Sequence, residues 1–148
     1  MKVKFLSWLD FYDHLSLLDA ESVHMRFGYT VSNEGLRRYC QSIQSPGFVI
    51  GTFVHGLPVS AAHVAILGGE AELGISVIQR HRREGHAEIL LREVVRILRP
   101  MDYSKIYTLC LPGNKPFIGL LNKLRDDLSI KYEIPESASE RKACITLE

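Results

Sequence analysis

Nine residues near the middle of the chain, Gln79 to Ala87 (QRHRREGHA), hold three arginines, two histidines and one glycine. Apolar residues then recur at Ala87, Leu90, Leu91, Val94, Val95, Ile97 and Leu98, one face of a helix. The basic cluster therefore sits at a helix N-terminus. Backbone N–H groups lack partners there, and the helix dipole adds about half a positive charge. Gly85 lets a ligand approach the backbone or permits an unusual φ, and Ala87 is small. Arg82, Arg83 and His86 add side-chain charge. The place suits a phosphate or pyrophosphate. No Gly-Lys-Ser/Thr follows, so it is not a P-loop, and a single glycine does not make a dinucleotide fingerprint. A solvated basic helix start would oppose the dipole and carry a small energetic penalty.

The second candidate is Glu72, in "EAELGISVI" (70–78). Ala71, Leu73, Ile75 and Val77 alternate to one side of this strand pattern. Glu72, Gly74 and Ser76 alternate to the other. One carboxylate beside two small residues suits a groove that a substrate enters. If Gly68-Gly69 is a two-residue hairpin turn, Leu67 pairs with Glu70 and His63 lies opposite Gly74. His63 is then a diagonal neighbour of Glu72, about 7–8 Å away, near enough for a proton relay through water. Tyr107 is a further hydroxyl on a nearby strand. His81 and His86 have no third ligand beside them, so no metal is expected.

These groups need elements to hold them. "KVKFLSW" (2–8) predicts a first strand, and "DFYDHLSLLDA" (10–20) a short helix with Asp10 as its cap. "ESVHMRFGYT" (21–30) reads as a loop. Ser32 caps a helix reaching about Gln44. Strands follow at 48–54, 59–67 and 70–78, an antiparallel meander. A helix over 85–99, stopped by Pro100, leads to a strand at 104–111. A helix from 114 to 128 presents Phe117, Leu120, Leu121, Leu124 and Leu128 on one face. Two late strands (129–135 and 142–148) flank a polar turn. The strand–helix–strand passage from 70 to 111 predicts a right-handed parallel crossover. The whole is a mixed α/β sheet with helices on its faces.

Bulk composition narrows the class. The chain has 148 residues and a net charge of +1, with 24% charged and 46% hydrophobic residues, which fits a single domain over 1–148. Near neutrality argues against a general nucleic-acid binder. No stretch approaches a membrane span. Cys40, Cys110 and Cys144 are odd in number and far apart, so a disulfide framework is not expected. The simplest compartment is a reducing, cytoplasmic one.

The spacing Arg82-x-x-Gly85-x-Ala87 resembles the pyrophosphate loop of the GNAT superfamily of acyl-CoA-dependent N-acyltransferases. The order of elements is similar to the GNAT order. Asn114 stands where a GNAT asparagine opens the next helix. "RFGYTVSNEGLRRY" (26–39) resembles the arginine–aromatic segment of many bacterial members. "AELGISV" resembles the fourth strand of the protein-lysine acetyltransferase branch, with Glu72 at the position of a proposed general base. The resemblance covers about Arg26 to Leu124. It implies acetyl-CoA as co-substrate, lying where strands 70–78 and 104–111 splay. The strand backbone at Val77, Ile78 and Gln79 would hold the pantetheine arm. The N–H groups of Arg83, Glu84, Gly85, His86, Ala87 and Glu88, beside Arg82, would hold the pyrophosphate. Asn114 and Phe117 would contact the cofactor. An amine acceptor (a protein lysine, an N-terminus or a small amine) would attack the thioester directly, with Glu72 and His63 as catalytic residues. A homodimer is common for this fold. The chain departs from the pattern at Leu121, where many members carry a tyrosine, and at Arg83, where the loop usually has a second glycine. These departures sustain an alternative: a catalytically silent acyl-CoA sensor or interaction module.

Overall fold

A computed structural model describes residues 1–109, 115–134 and 142–148. Among them the chain runs β1 (Val3–Phe5), α1 (Trp8–Ser16), α2 (Ala20–Phe27), α3 (Asn33–Gln41), β2 (Phe48–Val54), β3 (Leu57–Leu67) and β4 (Glu70–Val77). It continues with α4 (His86–Leu98), β5 (Lys105–Leu109), α5 (Lys115–Leu124), β6 (Ile130–Glu133) and β7 (Lys142–Leu147). Seven strands form one sheet in the order β1-β2-β3-β4-β5-β7-β6. Every neighbouring pair is antiparallel except β4 and β5. This is the expected mixed α/β fold, with α4 crossing between the two parallel strands.

The sheet is buried on both faces because its strands alternate between two cores. Ile50, Ala62, Val64, Ala71, Leu73, Ile106 and Ile145 meet Leu90, Leu91, Val94, Val95 and Leu98 of α4 and Leu121 and Leu124 of α5. On the other face, Val49, Val59 and Ala61 meet Phe11 and Leu15 of α1, Val23 of α2, and Leu36 and Cys40 of α3. Ion pairs join the lower helices: Lys123 reaches Glu88 at 2.8 Å, and Arg92 reaches Asp127 at 2.6 Å.

The β3–β4 hairpin has the expected register, with Leu67 opposite Glu70 and His63 opposite Gly74. Gly68 and Gly69 both take positive φ (58° and 88°), which a type I′ turn demands and glycine supplies. Ser32 caps α3 by accepting the Gly35 N–H (3.1 Å), as expected.

Several boundaries move. The cap of α1 is Ser7, whose hydroxyl accepts the N–H of Asp10 (3.1 Å), so Asp10 lies in the first turn. Residues 21–30 are not a loop. Asp19 accepts the Ser22 N–H (2.7 Å) to start α2, and Gly28 ends it in the left-handed region at φ 83°. Strand β1 stops at Phe5, α3 at Gln41, and β3 starts two residues early, at Leu57. Cys110, Asn114 and the polar turn before β7 lie outside the described residues.

Leu91 is wholly buried between α4 and the sheet. Leu91→Ala is expected to lower the unfolding free energy by about 2–5 kcal/mol, read from urea denaturation followed by circular dichroism.

Candidate active site

Strands β4 and β5 pair at only three positions: Ala71 with Ile106, Glu72 with Tyr107, and Leu73 with Thr108. Strand β4 continues to Val77, so Gly74 to Val77 have no β5 partner among the described residues. These residues pair with β3 on their other side, so only the outward backbone groups of this edge are open to an extended ligand. The fork opens into a cleft lined by Met25, Arg26, Leu73, Gly74, Ile75, Thr108, Leu109 and Phe117. Its cavity volume is about 30 Å³.

Past Val77, a turn of 3-10 helix (Gln79–His81) leads into α4. Gly85 stands at the N-cap with φ 90°, and no side chain caps the helix. A Cβ at Gly85 would meet nothing within 4 Å, so glycine serves here for its φ, and the space above it is open. Arg83 is also left-handed, at φ 63°. An L-residue pays about 1–2 kcal/mol there, which gives a physical reason for a second glycine in this loop.

The side chains of this loop do not all act as the sequence suggests. Arg82 does not hang over the helix mouth. Its guanidinium donates to Ser22 Oγ (2.5 Å) and ties the loop to α2. His86 turns inward; it is buried and hydrogen-bonds Thr52 Oγ1 (2.7 Å) through Nδ1. Only its backbone N–H faces the mouth as one of the uncapped groups. Glu84 accepts from His81 Nδ1 (2.7 Å) and lies 3.3 Å from His86 Nε2. The His81 hydrogen bond is the main reason its carboxyl sits below the usual range. Glu84 therefore supplies the third potential ligand that the histidines lacked in sequence, and the three donor atoms lie within 4.8 Å of one another.

The groove expected along Glu72, Gly74 and Ser76 is covered, because α1 and α2 lie over it. The Arg26 guanidinium rests on Gly74, where an added Cβ would come within 2.0 Å of its central carbon. Ser76 is buried under α1. His14 Nδ1–H donates to the Pro58 carbonyl (2.9 Å), which leaves Nε2 to accept from the Ser76 hydroxyl (2.8 Å).

His63 and Glu72 do share a face. His63, however, is buried beneath Phe11 and Tyr39, and its Nδ1 meets the Tyr39 hydroxyl. Arg26 donates to that same hydroxyl (2.9 Å). The phenol proton is then directed at His63. Burial, with Arg26 nearby, holds His63 down at about 4. Burial likewise holds His14 at about 4, and it raises the Tyr39 phenol above its usual value.

Glu72 is half-buried on β4, and Val77 is half-buried at that strand's end. Phe117 lies across the fork from Gly74. Leu121 is fully buried in the core and brings no polar group to the cleft. Arg26, Tyr39 and His14 are the residues that sequence patterning missed as parts of the site.

A family model for acetyltransferases of the GNAT family matches residues 9–125. The chain belongs to the GNAT acetyltransferase family. Its fold is that of GNAT structures. The GNAT domain of Streptomyces lividans PAT ("S. lividans PAT") superimposes with a TM-score of 0.74 at 17% identity, covering 98% of this chain and 89% of that one. The PaiA N-acetyltransferase of Thermoplasma acidophilum, solved with coenzyme A, gives 0.73 at 15% identity and covers 100% of both chains. The ribosomal-protein-S18-alanine N-acetyltransferase of Escherichia coli gives 0.65 at 14%, covering 97% of this chain and 89% of that one. No curated protein matches the chain. Among the described residues of this GNAT member, no helix is long and apolar enough to cross a membrane.

The two buried histidines give the fold a pH dependence. Each is neutral in the native state and titrates near 4, against 6.5 when exposed. Below pH 6.5 the unfolded chain takes up these protons first. Stability is therefore full above about pH 6.5 and falls toward pH 4, by up to about 1.4 kcal/mol per pH unit per histidine. The lowered carboxyls of Asp19, Glu84 and Glu93 act in the same direction but in a more acid window. Urea unfolding between pH 7.5 and 5 isolates the histidines, and a flat profile there would contradict their neutral burial.

Proposed function

We propose that this chain is an acetyl-CoA-dependent N-acetyltransferase acting on a primary amine. One observation carries the reading: the edge of β4 beyond Leu73, which has no β5 partner among the described residues, leads through one 3-10 turn to the uncapped N-terminus of α4 at Gly85. The edge at Val77 and Gln79 offers hydrogen bonds to the pantetheine arm; Ile78, also expected from sequence, donates its N–H to the Val59 carbonyl (2.9 Å) and accepts the His81 N–H (3.0 Å), so its backbone is already engaged. The N–H groups from Arg83 to Glu88 offer a cradle to the pyrophosphate, strengthened by the helix dipole. The open space above Gly85 admits the phosphates. Phe117 supplies an apolar wall at the fork. Asn114, the other contact expected from sequence, lies outside the described residues. The PaiA enzyme, a structural neighbour, was solved with coenzyme A, which agrees with this assignment.

The reaction is a direct transfer. The amine nitrogen attacks the thioester carbonyl carbon, the C–S bond breaks, and the thiolate takes a proton. The attacking amine must be neutral, and Glu72, on β4 just before the fork, is assigned as its base. His63 is assigned a positioning role through Tyr39, since it lies beneath that ring and not on the cleft wall. The acceptor is a protein lysine, an N-terminus or a small amine.

Two variants test the assignment. Isothermal titration with acetyl-CoA should show binding by the parent protein. Gly85→Glu should weaken it by at least about tenfold, because a carboxylate then stands where the phosphates bind. Glu72→Gln should bind acetyl-CoA as the parent does, yet lose about a hundredfold in turnover, followed as thiol release. The buried Leu121 supplies no acid for the leaving thiolate, which favours a second reading: an acyl-CoA-binding module without turnover. Tight binding with no thiol release from any amine would select it.

A further inference from the structure

Arg26 lines the cleft, yet the transfer described above makes no use of it. Its guanidinium is held firmly. It stacks 4.7 Å from the Phe27 ring centroid and 5.7 Å from that of Tyr39, and it donates one hydrogen bond, to the Tyr39 hydroxyl. The strand beneath is cut away to receive it, since Gly74 leaves no room for even a methyl group. Held in this way, the charge has no counter-ion among the described residues. None of the described carboxylates lies within ion-pair distance of Arg26, and its Nε is buried without a hydrogen-bond partner. A desolvated guanidinium with an unmade hydrogen bond costs stability, and aromatic faces offset only part of that cost. The neighbouring bases do not balance it either. His14 and His63 are both neutral, held down partly by this same charge. The site is built to hold a cation in place and leaves its anion to be supplied.

We infer that Arg26 receives a carboxylate of the acceptor, so that the preferred substrates are small amines carrying a free carboxylate close to the amino group, amino acids above all. The inference rests on the acetyltransferase reading and narrows its acceptor. Position excludes the cofactor's phosphates as the partner. Four residues of β4, Gly74 to Val77, separate the guanidinium from the loop, roughly 13 Å at strand rise. The charge therefore stands at the acyl end of the cleft. A carboxylate fits better than the thioester oxygen, because it is fully charged and planar and matches the guanidinium fork. Met25, Ile75 and Phe117 line the rest of the cleft, and the guanidinium is the one charge among its described lining residues.

The test is a comparison of each L-amino acid with its own C-terminal amide, both offered with acetyl-CoA and followed by thiol release. The amide has the less basic amine and so the larger free-amine fraction, which biases the assay against the inference. The expected result is a kcat/KM for the best amino acid at least about tenfold above that of its amide. R26M should bring that ratio close to one, and R26K should retain part of it. An amide used as well as its acid overturns the inference, as does a preference that survives in R26M. An equal loss on both members of a pair in R26M assigns Arg26 to the thioester and also overturns it. If R26M does not fold, judged by circular dichroism, the parent's own ratio and R26K decide. No transfer to any amine, with acetyl-CoA bound normally, is a different failure: the enzyme reading falls, and this one falls with it.

Discussion

Most of this molecule's chemistry depends on how briefly β4 and β5 stay together. Among the described residues they are the one parallel pair in a sheet of antiparallel neighbours, and they share three residue pairs. A parallel connection needs a long crossover, and α4 supplies it. The helix must then start near the end of β4, which brings its positive end to the mouth of the fork. A free strand edge and a helix N-terminus are thus consequences of one topological choice. Neither needs a specialised side chain. The two hydrophobic cores brace the arrangement from both faces, so the fork is set in rigid surroundings.

Above the fork lies a desolvated chamber with an uneven charge distribution. Three short helices press polar groups into the face of β3 and β4 that carries His63, Gly74 and Ser76. The energetics sort these groups. The imidazoles yield their charge to burial, and each is satisfied as a neutral hydrogen-bonding group. The guanidinium instead lies against the Phe27 and Tyr39 rings. The chamber is left with one fixed positive charge braced by rings. Tyr39 links the two kinds of group, accepting from Arg26 and facing His63.

How much of this could be read beforehand depended on the range of the interaction. The β3–β4 hairpin was legible because two glycines and an alternating pattern fix both turn and register. Helix α4 was legible from its apolar stripe, and Gly85 from the change of period beside it. Helix α2 was not. It buries little more than Ser22 and Val23, so no stripe marks it, although Asp19 and Gly28 signal both its ends. The face of Glu72 and His63 was read correctly, but its covering was not. Alternation along a strand says which residues point the same way and nothing about what packs on them. Arg26 meets Gly74 from a distant part of the chain, a contact no local pattern records. The basic loop was legible as a place and misleading in its parts. Arg82 spends its charge on α2, and His86 turns into the core.

The hydrogen bond from Arg82 to Ser22 has a wider meaning. Ser22 and Arg26 are four residues apart on α2, one turn along the same face. The helix therefore joins the loop before α4 to the guanidinium over Gly74. Both are thereby anchored on one short helix, although they are far apart in the sequence.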